Sequence, residues 1–175
     1  MKKSSYSLVK TSIIAAMYAA LTILLAPFSF GPLQIRISEI LTVIPLFCKE
    51  AVPGLTIGCL LANIVGASMG ITPVWDLLFG VLATFLSAIL TYLIGKTSHK
   101  WIHYVFAPLP AVVFNAVIVG LEMAIFYANA EAFFAVWLYS ACSVFMGQFA
   151  VCYLFGIPFI IFLKRNDLYK KLFHS

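Results

Sequence analysis

PLQIRISEIL, residues 32–41, sets an arginine and a glutamate three positions apart, Arg36 and Glu39, in a chain that is otherwise almost wholly apolar. The pair follows the apolar run 13–26 and leads into a second apolar stretch that ends near Phe47. Read as a helix, residues 38–47 reach only about 15 Å, half of the roughly 30 Å of hydrocarbon in a bilayer. A segment that short, with charge at its mouth, survives at membrane depth only where protein or a cavity surrounds it. The loop 27–37 is therefore expected to fold inward and meet the short helix at a pocket.

The rest of the chain makes lipid its solvent. Of 175 residues, 63% are hydrophobic and 10% charged, and the mean hydropathy is +1.07. A soluble domain of this length has no way to hide so much apolar surface. No polar stretch is long enough for a second domain, so residues 1–175 read as one integral membrane domain. Spanning helices are expected at about 8–26, 51–69, 75–95, 105–127 and 134–163, with the short one at about 38–47. The last is long enough to bend, and Gly156 and Pro158 mark the place. The fold class is an all-α membrane protein, a six-helix transmembrane bundle with a short second helix and an inward-folded first outer loop. The first run is kept as a helix rather than a cleaved signal, because no small-x-small cleavage motif follows it.

The net charge of +5 points to topology, not to nucleic acid, because the basic residues sit at the ends of apolar segments rather than on one polar face. Six segments put both termini on one side. Lys2, Lys3, Lys10, Lys49, Lys96, Lys100, Lys164, Arg165, Lys170 and Lys171 fall on that side and Arg36 alone on the other. Both termini are therefore expected in the cytoplasm of a cell whose plasma membrane holds the chain, with Arg36, Asp76 and Glu131 outside. The four cysteines, 48, 59, 142 and 152, have no CxxC spacing and read as small core residues.

Two stripes of small residues suggest close helix packing. Gly54, Gly58, Ala62, Gly66 and Gly70 recur at every fourth position, and Ala15, Ala16, Ala19 and Ala20 form a patch on the first helix. Such stripes let backbones approach in lipid, where no hydrophobic force drives helices together. The glycine ladder reads as internal packing. For the alanines, internal packing and a partner-docking face fit the sequence equally well.

Polar groups within apolar helices are costly and mark function by default. Glu122 and Asn115 lie seven residues apart, in nearly the same helical direction, and so should face one cavity. Asn63 and Gln148 suit either that cavity or interhelical hydrogen bonds. Asp76 suits a helix cap or the cavity. Arg36 either braces Glu39 in the loop or holds it bidentately while the carboxylate faces a ligand. Trp75, like the other rim aromatics, reads as interfacial belt or as a stacking face for a flat ligand. No GxxxxGK loop, HExxH, GxSxG or clustered His and Cys occurs. The chain is thus expected to be no enzyme, to carry no ATPase site and to hold no cofactor or metal.

The segments GPLQIRISEILTVIPLF, AVPGLTIGCLLANIVG, WDLLFGVLATFLSAILTYLIG and LPAVVFNAVIVG together resemble the QueT family, in order and spacing over nearly the whole chain. These are substrate-binding S components of energy-coupling factor (ECF) transporters associated with queuosine-precursor uptake. The run Gln34, Arg36, Ser38, Glu39 is the most specific part. The resemblance implies a six-helix component that binds a deazapurine from outside. It also implies docking through the first helix, at Ala15, Ala16, Ala19 and Ala20, onto a membrane scaffold served by two cytoplasmic ATPases. ATP is used by those partners alone. Gly147 and Gln148 stand where the family pattern suggests glycine and glutamate. The implied substrate site comprises Glu39 and Glu122, with Arg36, Asn63, Asp76, Trp75, Asn115 and Gln148 around them. Rival readings are an S component for another vitamin or nucleobase, a self-sufficient carrier, and a small membrane enzyme. The absence of a visible repeat and of a catalytic cluster counts against the last two.

Overall fold

A computed structural model describes residues 2–30 and 34–173 of the chain. The first helix, α1 (Lys2–Leu24), is followed by a single turn, α2 (Ala26–Ser29). A ten-residue 3₁₀ helix, Ile37–Leu46, comes next and is called here the central helix. Then follow α3 (Ala51–Ser68), a 3₁₀ turn at Val74–Leu77, α4 (Phe79–Gly95) and α5 (Lys100–Phe106). The chain continues through α6 (Leu109–Tyr127), α7 (Phe133–Leu154), α8 (Gly156–Lys164) and the terminal turn α9 (Leu168–Phe173). Among the described residues, five stretches are long and apolar enough to cross a membrane, and the central helix is a shorter apolar segment.

The expected bend near Gly156 is a break at Phe155, with Pro158 in the first turn of α8. The stretch expected as one helix from 105 instead divides into α5 and α6, with Pro108 and Pro110 at the start of α6, where missing N–H donors do no harm. The segment expected from 75 likewise starts as a separate turn before α4. Of the loop 27–37, residues 31–33 lie outside the described residues. On either side of them Ser29 and Arg36 are buried.

The central helix is surrounded by protein, packing against α1, α3, α4, α7 and α8. At about 2.0 Å per residue a 3₁₀ helix of ten residues reaches about 20 Å, where an α-helix would reach about 15 Å. The tighter winding thus recovers part of the length that the short segment lacks. Its apolar residues Leu41 and Ile44 join Ile14, Tyr18, Leu55, Cys59 and Ala88 in the main core. Val43 and Leu46 pack with Ala107 and Ile160 in a second cluster.

The glycine ladder is spent on contacts, with one exception. A Cβ on Gly58 would sit 2.7 Å from the Ala15 carbonyl oxygen and 2.8 Å from Tyr18 Cβ, so α1 and α3 meet backbone against side chain there. Gly70 does not pack; no atom lies within 4 Å of where its Cβ would stand, and its φ is +69°. It closes α3 in the left-handed conformation. The Ile71 N–H donates to the Gly66 carbonyl (2.9 Å) and the Gly70 N–H to the Ala67 carbonyl (3.0 Å), the paired bonds of a Schellman motif.

Both chain ends lie at one end of the bundle. Lys10 Nζ donates to the Phe173 carbonyl, and Phe47 rests on Tyr169 at 5.1 Å. Lys49, Lys96 and Lys164 line clefts at this same end.

The α1–α3 contact generates a prediction. Gly58→Val forces backbone and side chain apart at a buried crossing and should destabilise by roughly 3 kcal/mol. Gly70→Ala, with open space but a left-handed φ, should cost only about 1–2 kcal/mol. Thermal unfolding of the purified protein in one detergent ranks the two.

Candidate functional site

The Schellman turn at Gly70 delivers Thr72 and, four residues on, Asp76 into the bundle. Asp76 sits in the 3₁₀ turn Val74–Leu77 and is 1% exposed. Its Oδ2 accepts from Arg36 Nη2 at 2.8 Å and from Thr72 Oγ1 at 2.8 Å. Its backbone carbonyl accepts from Asn63 Nδ2 at 2.8 Å. Room for this junction comes from Gly80, where a Cβ would stand 2.8 Å from Asp76 Oδ1 and 3.0 Å from Asn63 Nδ2.

Arg36 is 1% exposed. It has an extended backbone just before the central helix, and its side chain also donates through Nε to the Ser29 carbonyl at 3.4 Å. The Phe30 ring covers its guanidinium at 5.3 Å. The expected brace between Arg36 and Glu39 is not what forms. The ion pair runs from Arg36 to Asp76, forty residues along the chain. Within the turn that starts the central helix, Arg36 is linked to Glu39 through the backbone, the Glu39 N–H donating to the Arg36 carbonyl at 3.0 Å.

Glu39 instead takes the hydroxyl of Tyr18 on α1 at Oε1. One turn further along α1, Thr22 Oγ1 lies 2.6 Å from Ser38 Oγ. Cys152 of α7 approaches the Glu39 carbonyl at 3.9 Å and Gln148 Oε1 at 3.8 Å, which places Gln148 beside the central helix. Glu122 of α6 lies against the Asp76 carboxyl. Its side chain is 0% exposed, and apart from the Asp76 carboxyl its two oxygens have no hydrogen-bond partner. Asn115 is buried on the same helix and donates from Nδ2 to the Ala111 carbonyl at 2.9 Å.

Arg36, Glu39, Asn63, Asp76, Glu122 and Gln148 are therefore drawn together. Asn115 shares a helix with Glu122, and its side-chain amide bonds within that helix. Trp75 is corrected. It is 49% exposed and stacks on Phe126 at 4.2 Å and 7°, bracing the 3₁₀ turn to α6 from outside. A turn directs successive side chains apart, so Asp76 goes in and its neighbour out. The alanine patch is also divided. Ala15 and Ala19 are buried against α3, while Ala16 and Ala20 face outward with Ile13 and Met17. Sequence reasoning missed Tyr18, Thr22 and Thr72. The signal for the first two was a polar pair at i, i+4 on the buried face of an apolar helix.

Among the described residues, seven buried side-chain atoms lack a donor or acceptor partner: Ser29 Oγ, Glu39 Oε2, Asn63 Oδ1, Asp76 Oδ1, both Glu122 oxygens and Gln148 Nε2. Buried polar atoms are nearly always bonded, so unpartnered ones gathered around one cluster are the mark of a missing ligand or water. A cleft of about 370 Å³ is lined by Phe30, Gln34, Thr72, Met123, Tyr139 and Ser143, and meets the cluster through Thr72, which bonds Asp76. Gln34 stands at its edge with a left-handed φ of 44°, unusual for a side chain other than glycine. No group of three or more His, Cys, Asp or Glu suited to a metal ion occurs among the described residues.

The QueT transporter family model matches residues 8–165. A curated relative, the queuosine precursor transporter QueT of Lactococcus lactis subsp. cremoris (strain MG1363), is 37% identical over 90 residues. That stretch is 49% of this chain and 50% of the relative, so the match spans about half the length of the relative. No solved structure matches. With helices of spanning length, a buried polar cluster and a family match over most of its length, the chain belongs to the QueT transporter family.

Proposed function

We propose that the chain is the substrate-capture component of an ATP-driven importer of the energy-coupling factor type, taking up a queuosine precursor. The observation that carries this reading is the set of seven unpartnered buried atoms around Arg36, Glu39 and Glu122, a polar cluster in a bundle otherwise made for lipid. A deazaguanine has what such a cluster lacks: adjacent N–H donors, a carbonyl acceptor and a flat face. The family membership and the name of the Lactococcus relative support this substrate class.

The positive-inside rule puts the lysine-rich end, with both termini, in the cytoplasm. The cleft beside Thr72 then opens to the outside, and the ligand enters past Gln34 and Phe30. Hydrolysis of ATP falls to two cytoplasmic ATPases, and a membrane scaffold couples them to this chain. Docking uses the outward face of α1, Ser12, Ile13, Ala16, Met17 and Ala20, since Ala15 and Ala19 are taken up by α3. Small outward residues let a partner helix come close.

Three outcomes are expected. The purified chain alone binds a 7-deazaguanine in a titration, whereas uptake into vesicles needs scaffold and ATPases. Unaided uptake at the rate of the full complex would contradict the division of labour. Ala16→Trp or Ala20→Trp should cut copurification of the scaffold several-fold with ligand affinity unchanged, because neither side chain enters the bundle. Arg36→Met leaves buried carboxyls without their cation and should cost roughly 3–5 kcal/mol of stability. Pairing it with Asp76→Leu should recover much of that stability, measured by thermal unfolding, without recovering ligand binding.

A further inference from the structure

The end of the bundle that carries both termini is crossed by α9 (Leu168–Phe173), none of whose residues is buried. Three contacts hold it down. The Tyr169 ring rests on Phe47, the residue that follows the central helix. Phe173 packs against the core cluster that includes Ile14, Leu41 and Cys48. The Phe173 carbonyl accepts from Lys10 Nζ of α1, which itself lies over the Tyr6 ring at 4.4 Å.

The space under α9 is not filled. One cleft of about 320 Å³ is lined by Cys48, Lys49, Lys96 and Phe173, and another of about 540 Å³ by His103, Lys164 and Tyr169. Leu46, Phe47 and Gly95 line both, so the two clefts flank the lower end of the central helix, and α9 gives one aromatic ring to each. The wall is firm. At Gly95 a Cβ would stand 2.6 Å from the Leu46 carbonyl oxygen, so α4 and the central helix meet backbone to backbone.

The cover is held differently. It joins α8 through the short turn Arg165–Asp167, and Asp167 has a φ of +52°. Aspartate is among the few residues that take this left-handed conformation, and here it turns the chain back across the bundle. A segment with few buried contacts opens at a small fraction of the free energy of global unfolding.

We propose that α9 is a strap hinged at Asp167, which shuts the cytoplasmic mouth of the bundle and lifts when ligand is delivered inward. Lifted, it leaves the two clefts as one opening beneath the central helix. Entry from outside, past Gln34 and Phe30, does not involve it. The release role rests on the importer function proposed above, whereas the covering of the clefts does not.

Cys48 reports the cover directly, since it is 6% exposed and lines the cleft that Phe173 closes. A Cys142→Ser background removes the exposed cysteine, and Cys59 and Cys152 are fully buried. In that background N-ethylmaleimide should label Cys48 at least about fivefold faster in a chain ending at Asp167 than in the full chain, with Lys10→Met between the two. Equal rates in all three overturn the strap. For release, Lys10→Cys and Leu172→Cys are joined by a flexible reducible crosslinker in a Cys48→Ser, Cys142→Ser background. In vesicles holding the full transporter, the link should cut uptake of radiolabelled 7-deazaguanine at least about tenfold, and reduction should restore it. The affinity of the purified chain for the same compound should not change. Uptake that survives the link overturns the release role, as does a link that weakens binding itself. Absence of uptake before linking overturns the importer reading and the release role with it, while Cys48 labelling still decides the cover. Lys10→Met and the linked chain keep the test decisive where the shortened chain fails to fold.

Discussion

The interior of this bundle is organised by one ion pair, Arg36 to Asp76 at 2.8 Å, with both side chains almost wholly enclosed. Two charges taken out of water are sustained only by good geometry and further hydrogen bonds. Here the further bonds are the hydroxyl of Thr72 and the backbone carbonyl of Ser29. The pair ties the segment before the central helix to the turn before α4, and so closes the bundle at the end opposite the termini. Buried polar atoms without hydrogen-bond partners lie on its two sides. Glu39 and Gln148 lie toward the central helix and α7, and Glu122 and Asn63 toward α6 and α3.

Bilayer packing explains why so much polarity stays inside. Large apolar residues such as Leu24, Leu78, Phe134 and Tyr139 face outward, while Glu39, Asn63, Glu122 and Gln148 are enclosed. In water that distribution would be inverted. In lipid, helices gain little from burying leucine, and close approaches such as Gly58 to Ala15 take over. The same small residues serve two ends. Their inward members bring α1 near enough for Tyr18 to reach Glu39, and their outward members leave a thin face free.

The all-helical, membrane-spanning character and the order of the apolar segments were legible because each depends on local composition alone. So was the polar set on the long helices: a glutamate or an amide in the middle of an apolar run has few places to go, and Glu122, Asn63 and Gln148 went inward. What the sequence hid depends on rotation and distance. The partner of Arg36 stands forty positions away, and the nearer carboxylate at Glu39 was the misleading choice. Trp75 and Asp76 are neighbours pointing opposite ways, and only the twist of a short turn decides which is inside. The alanine patch spans more of the α1 circumference than one contact face, since adjacent residues lie about 100° apart on a helix. Gly70 continued a fourfold repeat in the sequence and yet ended the helix.

The winding of the central helix has a consequence for how this segment can vary. With three residues per turn, side chains stack in straight rows: Glu39, Thr42 and Pro45 form one, Ser38, Leu41 and Ile44 another. The segment is thus a three-sided rod enclosed by α1, α3, α4, α7 and α8. Exchange of one apolar residue for another touches a single row. Gain or loss of one residue turns every later position by about a third of a revolution and sends each row to the wrong wall. Over evolutionary time this stretch can drift in spelling but not in length, in contrast with the connections at either end of the bundle.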